Sequence, residues 1–252
     1  MQKRRVAAMK KVFADLHLRL NVKDHAATLR MIDKAATLGY RLIAVPLAPE
    51  TATAEVARLR TICKEAKIDF ASRVDLRPRN HNELLRQLRR LRRKFEVISV
   101  ACENKAVARQ AAKDRRVDLL NFPSLDFRRR FFDKAEAELA SNSLAALEID
   151  VKPLLVLEGP TRIRFLSSLR REAAIANKFH VPIVLSSGVS KERLLRKPRE
   201  MAALAFLFGL GEASALEAVS QNPKLIVERN REKLGSKFVA PGIRVIKEGK
   251  DC

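Results

Sequence analysis

Tryptophan is absent from this chain, tyrosine occurs once and histidine only four times in 252 residues. With so few flat rings, and with 12 phenylalanines mostly at core-like spacings, a platform that stacks successive bases of a single strand is not expected. The shortage of histidine limits metal chemistry in the same way. His25 and His81 fall at helix starts and His180 precedes a strand, which leaves His17 as the well-placed one. Cys63, Cys102 and Cys252 stand singly, so they form neither a zinc-ligand pattern nor a disulfide framework and suit a reducing compartment. The longest apolar run, residues 201–210, falls short of the roughly 20 residues that a spanning helix needs. The basic stretch 1–11 has no signal-peptide core. An intracellular, cytoplasmic protein with no membrane partner is expected.

What the chain has in excess is positive charge: 51 Lys and Arg stand against 29 Asp and Glu, a net +22. Such an imbalance favours a polyanionic partner. Apolar residues make up 47% of the chain, enough for a large core in a single domain. Strands are expected at residues 12–19, 40–47, 68–77, 95–101, 117–120, 146–151 and 181–186. Helices are expected between them, at 24–38, 51–67, 80–94, 104–113, 131–142 and 161–179, and after the last strand at 199–208 and 212–220. Leu225 to Val227 is too short for a convincing eighth strand. Regular alternation gives a parallel sheet, and no glycine-rich loop follows the first strand, so a TIM-like barrel of seven or eight strands is favoured over an open dinucleotide-binding sheet. Residues 1–11 read as a basic extension, 12–235 as the barrel and 236–252 as a poorly ordered tail.

The first strand has two faces, with Ala14, Leu16 and Leu18 on one and Phe13, Asp15, His17 and Arg19 on the other. Polar alternation recurs at Arg73, Asp75 and Arg77 and at Glu148 and Asp150, so three strands are expected to share a polar lumen. These carboxylates and His17 could hold a hard cation, but Arg19, Arg73 and Arg77 compete for the same oxygens. A buried ion-pair network of Asp15, His17, Arg73, Asp75, Glu148 and Asp150 is the favoured reading, with no resident metal and no cofactor. Ser186, Ser187 and Gly188 could cradle an anion through backbone N–H groups, although a plain turn explains them equally.

The arginines form a third pattern. Residues 83–94 read as a helix with Leu84, Leu88 and Leu91 inward and Arg86, Arg89, Arg90, Arg93 and Lys94 outward, with hardly any neutralising acids. Strand-end loops carry Arg19, Lys23, Arg77, Arg79, Arg128, Arg129, Arg130, Lys191, Arg193, Arg196, Lys197 and Arg199. The opposite rim pairs Lys113, Arg115 and Arg116 with Asp114 and Asp118, and Arg92 to Lys94 with Glu96. A nucleic-acid backbone would supply the missing counter-charge, and the strand-end rim is expected to meet it.

Several motifs have a family resemblance. Phe13-Ala14-Asp15-Leu16-His17, Leu38-Gly39-Tyr40 before Ile43-Ala44-Val45, Arg73-Val74-Asp75-Leu76, and Val117-Asp118-Leu119-Leu120 with Pro123-Ser124 occur in that order. They are followed by Pro182-Ile183-Val184-Leu185-Ser186-Ser187-Gly188, Arg196-Lys197-Pro198-Arg199, Leu207-Phe208-Gly209-Leu210 and Val219-Ser220-Gln221-Asn222-Pro223. Over residues 12–232 this order resembles the ribonuclease P protein component 3 family. The resemblance implies a TIM-like barrel related to the polymerase and histidinol phosphatase hydrolases. It implies a subunit of the enzyme that removes the 5′ leader of precursor tRNA, beside a catalytic ribonuclease P RNA, protein component 2 and other protein subunits. The hydrolase relatives have His-x-His after the first strand, whereas His17-Leu18-Arg19 puts a cation in the second place. A metal-dependent phosphoesterase is the alternative reading, and a barrel enzyme acting on a small anion at Ser186 to Gly188 is a third.

Overall fold

The computed structural model describes residues 11–240 and 243–244. The expectations for the first ten residues of the basic extension, and for residues 241–242 and 245–252 of the tail, fall outside the described residues. Seven strands, β1 (Ala14–Asp15), β2 (Leu42–Pro46), β3 (Asp69–Leu76), β4 (Val97–Ala101), β5 (Leu119–Asn121), β6 (Ala146–Asp150) and β7 (Ile183–Ser186), lie parallel in sequence order in one sheet. Helices α1 (His25–Leu38), α2 (Thr53–Glu65), α3 (His81–Leu91), α4 (Lys105–Lys113), α5 (Lys134–Ser143), α6 (Lys152–Val156) and α7 (Gly159–Lys178) connect them. After β7 come α8 (Pro198–Leu204), α9 (Glu212–Ala218) and α10 (Gln221–Leu234), and then a small antiparallel pair, β8 (Phe238–Ala240) and β9 (Ile243–Arg244).

The helix starts follow side-chain chemistry. Asp24, Asn80 and Asn104 each accept a backbone N–H three residues on, and Asp133 with Glu136 makes a capping box. Gly39 ends α1 at φ +101°, a conformation that glycine adopts without strain. On α3, Leu84, Leu88 and Leu91 are buried while Arg86, Arg89 and Arg90 are exposed, as the spacing predicts, and Arg93 is exposed in the turn that follows.

Two sets of apolar side chains hold the barrel. The larger lies between strands and helices and includes Ile43, Val45, Val74, Ile98, Leu120, Leu147 and Leu185. The smaller fills the lower lumen: Ala14, Leu16, Leu42, Ala44, Ala71, Val97, Leu119, Ala146 and Val184, closed from below by Ile226 and Val227. Leu225 to Val227 therefore belongs to helix α10 and not to a strand, and Ile226 and Val227 plug the barrel from below. Residues 152–156 form a helix that the sequence reading did not anticipate.

The first strand corrects the sequence reading most. It is two residues long instead of eight, and residues 14–16 face the opposite way from that expected, while His17 in the lumen and Leu18 against the helices lie on the sides expected. Ala14 and Leu16 point into the lumen, whereas Asp15 is in register with Ile43 and so faces the helices. The cause is local. Asp15 Oδ1 accepts the His17 N–H at 3.1 Å, a side-chain bond that turns the chain out of the ladder. No ladder joins β1 to β7. The seam is closed by Ala14 N–H to the Val219 carbonyl (2.9 Å), Gly188 N–H to the His17 carbonyl (3.0 Å) and Arg19 N–H to the Val189 carbonyl (3.0 Å).

If Ile226 is the plug of the lower lumen, Ile226→Ala should cost about 2–4 kcal/mol of unfolding free energy. Denaturant titration of the purified variant measures this, and a change below about 0.5 kcal/mol would mean that the lumen is not sealed there.

Candidate functional site

Above the apolar layer the lumen becomes polar, because β3 to β7 place polar residues toward their C-terminal ends and His17 follows β1. The centre is Arg73, whose side chain is 1% exposed. Its Nη1 and Nη2 donate to Glu148 Oε1 (2.5 Å) and Oε2 (2.7 Å), its Nε donates to Asp75 Oδ1 (2.6 Å), and Nη1 also reaches the Leu16 carbonyl (2.6 Å). Glu148 receives three further bonds, from Ser99 Oγ (3.2 Å), Asn121 Nδ2 (3.1 Å) and Ser186 Oγ (2.7 Å). One carboxylate is thereby tied to β3, β4, β5 and β7. Such a pair survives burial only because its hydrogen bonds are satisfied.

His17 sits above it. Its Nδ1 is 2.8 Å from Asp150 Oδ1, and its Nε2 has two neighbours, Asp75 Oδ2 at 3.2 Å and Arg19 Nε at 3.0 Å. Burial and the Arg73 charge work against protonation, but Asp150 and Asp75 outweigh them and push the imidazole up to about 9. A protonated ring donates to both carboxylates, whereas a neutral ring accepts from Arg19 Nε. Burial alone would raise the Asp75 and Asp150 carboxyls, yet His17 and Arg73 hold both below the usual carboxylate range.

Two groups behave differently from the sequence reading. Asp15 is not part of this cluster. Its Oδ1 accepts from Ser187 N–H at 2.9 Å, its Oδ2 has no hydrogen-bond partner, and burial raises its carboxyl. That bond also removes Ser186, Ser187 and Gly188 as an anion cradle: the loop's N–H groups are taken by Asp15 and by the His17 carbonyl, and the Ser186 hydroxyl is taken by Glu148. Gly188 adopts φ +64°, where a Cβ would lie 2.9 Å from Asp150 Cγ, so a side chain there is excluded twice over.

Ligand atoms of His17, Glu148 and Asp150 lie within 4.8 Å of one another, close enough for a divalent ion. The donor set does not fit one. Both Glu148 oxygens are bonded to a guanidinium, and the Asp150 oxygens accept from His17 and Asn121. A metal would have to displace Arg73 from a buried bidentate pair.

The cations separate by position. Arg19, Arg77, Arg79, Arg128, Arg129, Lys191, Arg193 and Lys197 are exposed on strand-end loops, Arg199 is exposed in the first turn of α8, and Arg196 is half-buried. Arg19, Lys191 and Arg193 share one cavity with Arg30, while Arg128 shares another with Lys105 and Arg171; Arg30 and Lys105 are neighbours that the sequence reading did not single out. Arg86, Arg90 and Arg93 are exposed on the flank formed by α3. Arg130 is a correction: it is buried, bonded through two nitrogens to Glu172 (2.7 and 2.6 Å) and to the Phe122 and Ser124 carbonyls, and stacked over Phe165, so it cannot reach a phosphate. Its match is Glu172, 42 residues away on α7, which no local pattern reveals. Ser99 and Asn121 were also missed as lumen groups. The signal was present as single polar residues at alternate positions of otherwise apolar strands.

The arrangement defines a TIM-like (β/α) barrel whose mouth is filled by its own arginine. The chain belongs to the family of RNase P subunit p30, which matches residues 12–234. Ribonuclease P protein component 3 of Methanosarcina barkeri is 36% identical over 176 residues, covering 70% of this chain and 72% of that one. The protein of the same name from Methanothermobacter thermautotrophicus is 27% identical over 241 residues, covering 94% and 96%. A chain in the cryo-EM structure of archaeal ribonuclease P with mature tRNA superposes at a TM-score of 0.82 with 22% identity, over 94% of this chain and all 100% of that one. A putative prolidase from Bifidobacterium longum shares the barrel at a TM-score of 0.54 with 14% identity, over 87% and 70%. The family expected from the motifs, the barrel and the place in a tRNA-processing ribonuclease P are thus borne out.

Arg73→Met should destabilise the fold by about 3–5 kcal/mol, since it leaves Glu148 buried without its partner. Adding Glu148→Leu should recover part of that loss, and additive losses in the double variant would show that the two side chains act independently. The folded pKa of His17 lies above its unfolded value of 6.5, so the stabilisation is complete below that pH and fades as pH rises through about 9. Denaturant titrations from pH 6 to 10 should therefore show a fall of roughly 3 kcal/mol at most, largely abolished in His17→Gln.

Proposed function

We propose that the chain is a non-catalytic, RNA-binding subunit of ribonuclease P, with cleavage of the precursor tRNA leader carried out by the RNA subunit. The observation that carries this reading is the Arg73 guanidinium lying on Glu148 at the barrel mouth, the place where barrel enzymes assemble their reactive groups. The metal-dependent phosphoesterase alternative needs that space for an ion, and no observation favours it. Its partners in this reading are ribonuclease P RNA, precursor tRNA within the assembly, protein component 2 and the other protein subunits, and it works in the cytoplasm. No helix among the described residues is long and apolar enough to cross a membrane.

Contact with RNA is assigned to the strand-end rim and the α3 flank. Among the described residues, Arg79, Arg128, Arg129, Arg193, Lys197 and Arg199 make no ion pair, while the opposite rim holds Arg92 on Asp118, Arg116 on Asp114 and Arg231 on Glu96 and Asp69. Uncompensated cations gain most from phosphate, because bound counterions are released.

The isolated chain should cleave neither precursor tRNA nor simple phosphate esters with Mg2+ or Mn2+; turnover abolished by His17→Ala would replace this reading by the phosphoesterase. Charge reversal of Arg128, Arg129 and Arg193 to Glu should impair assembly on the RNA more than reversal of Lys113, Arg115 and Arg116. Replacing Arg86, Arg90 and Arg93 by Ala should flatten the salt dependence of RNA binding by up to about one per lost phosphate contact. An unchanged slope in the folded triple variant would mark α3 as a solvated face.

A further inference from the structure

Beside the ion-pair cluster is a space that it does not fill. A cavity of about 270 Å3 opens between the ends of β5 and β6, helix α6 and the first turns of α7. Phe122, Val156 and Phe165 line its apolar side, and Asn121, Asp150 and Lys152 its polar side, with Arg19 also on its wall. The volume lies just under the ~300–1,000 Å3 of pockets that take drug-sized ligands, and so suits one planar ring system. Its walls are braced in place. Phe122 packs edge-on against Phe132 at 5.7 Å, and Phe165 lies under the Arg130 guanidinium that Glu172 holds.

The polar wall offers acceptors. Asn121 Nδ2 donates to both Glu148 and Asp150, so what its amide leaves for a ligand is the carbonyl oxygen. Asp150 has two side-chain partners, His17 and Asn121, against the roughly four lone-pair sites of a carboxylate, and its side chain is 21% exposed. Lys152 and Arg19 add positive charge at the same wall. A ligand that matches must present N–H donors side by side on one planar edge and carry negative charge close by. Guanine meets both demands when it belongs to a nucleotide, since its ring N–H and its amino group point the same way. Uracil offers one N–H between two carbonyl oxygens, which a carboxylate would repel, and adenine sets its amino group beside an acceptor nitrogen.

We propose that this cavity takes the base of an unpaired guanosine of the bound RNA, its donor edge on Asp150 and Asn121, its faces against Phe122 and Val156, and its phosphate toward Lys152 and Arg19. The inference deepens the RNA-binding reading and rests on it. It is also consistent with the scarcity of aromatics, because one enclosed base needs one or two rings where a platform needs a row.

The test uses fluorescently labelled pentaribonucleotides UUGUU, UUAUU and UUUUU, titrated onto the full chain at low salt and read by anisotropy. UUGUU should bind about tenfold more tightly than the other two, in line with one bidentate base contact. Val156→Trp, at a residue 48% exposed and outside the ion-pair cluster, fills the opening and should bring UUGUU down to the level of UUUUU. Asp150→Asn should also erase the preference; its thermal melt shows whether the His17 contact was lost with it, and Val156→Trp decides the matter if it was. Equal binding of the three wild-type complexes, or a guanosine preference that survives Val156→Trp, would overturn the pocket and leave electrostatic RNA binding intact. If the chain binds none of the pentamers but retains ribonuclease P RNA, the pocket alone fails; if it binds neither, the RNA-binding reading fails with it.

Discussion

A single carboxylate organises the upper half of the barrel. Glu148 on β6 receives donors from β3, β4, β5 and β7, and its principal partner, Arg73, extends the connection to the Leu16 carbonyl just after β1. A slip of one residue in any of these strands would turn its donor toward the helices and leave buried oxygens unpaired. The pair therefore sets the register of the sheet as well as contributing to its stability. It also decides the chemistry of the mouth, because the guanidinium occupies the space where an ion or a reacting group would have to lie.

Electrostatics on the outside follows from the same economy of partners. On the N-terminal rim, Asp118 alone accepts from Arg92 and Arg229, while Glu96 serves Arg60 and Arg231. Those cations are committed to holding helices against strand starts. The strand-end loops have few acids to do this: Arg77 reaches Glu103 and Arg130 is held by Glu172, but Arg79, Arg128, Arg129 and Arg193 make no ion pair among the described residues and can respond to an external polyanion. Net charge alone would not distinguish the two rims; pairing does.

The chain's periodicity carried most of the architecture. Alternating apolar runs, Asp and Asn caps and the leucine stripe of α3 act over a few residues, and those elements lie close to where the sequence placed them. The errors arose where a long-range partner overrides a local pattern. Arg130 belongs to an arginine run, and only Glu172 on a distant helix takes it out of solvent. Ser186, Ser187 and Gly188 have the composition of an anion loop, yet Asp15 supplies the anion from within. The first strand looked amphipathic with its charged side inward, but the Asp15 bond to His17 N–H shortens it and rotates the following residues. Within the lumen, Arg73, Asp75, Glu148 and Asp150 do come together, since strand alternation is enough to aim them.

The seam between the first and seventh strands gives the chain a direction in time. Two residue pairs join β1 to β2, and the amide of Ala14 has its acceptor in Val219, more than 200 positions later. During synthesis the sheet can therefore grow strand by strand from β2 onward, but the start of the chain has no completed seat until its far end has emerged. Ile226 and Val227 arrive last and close the lower lumen beneath Ala14 and Leu16. A ribosome-bound chain that stops short of α9 would hold an open trough lined with the residues that the finished protein buries most deeply.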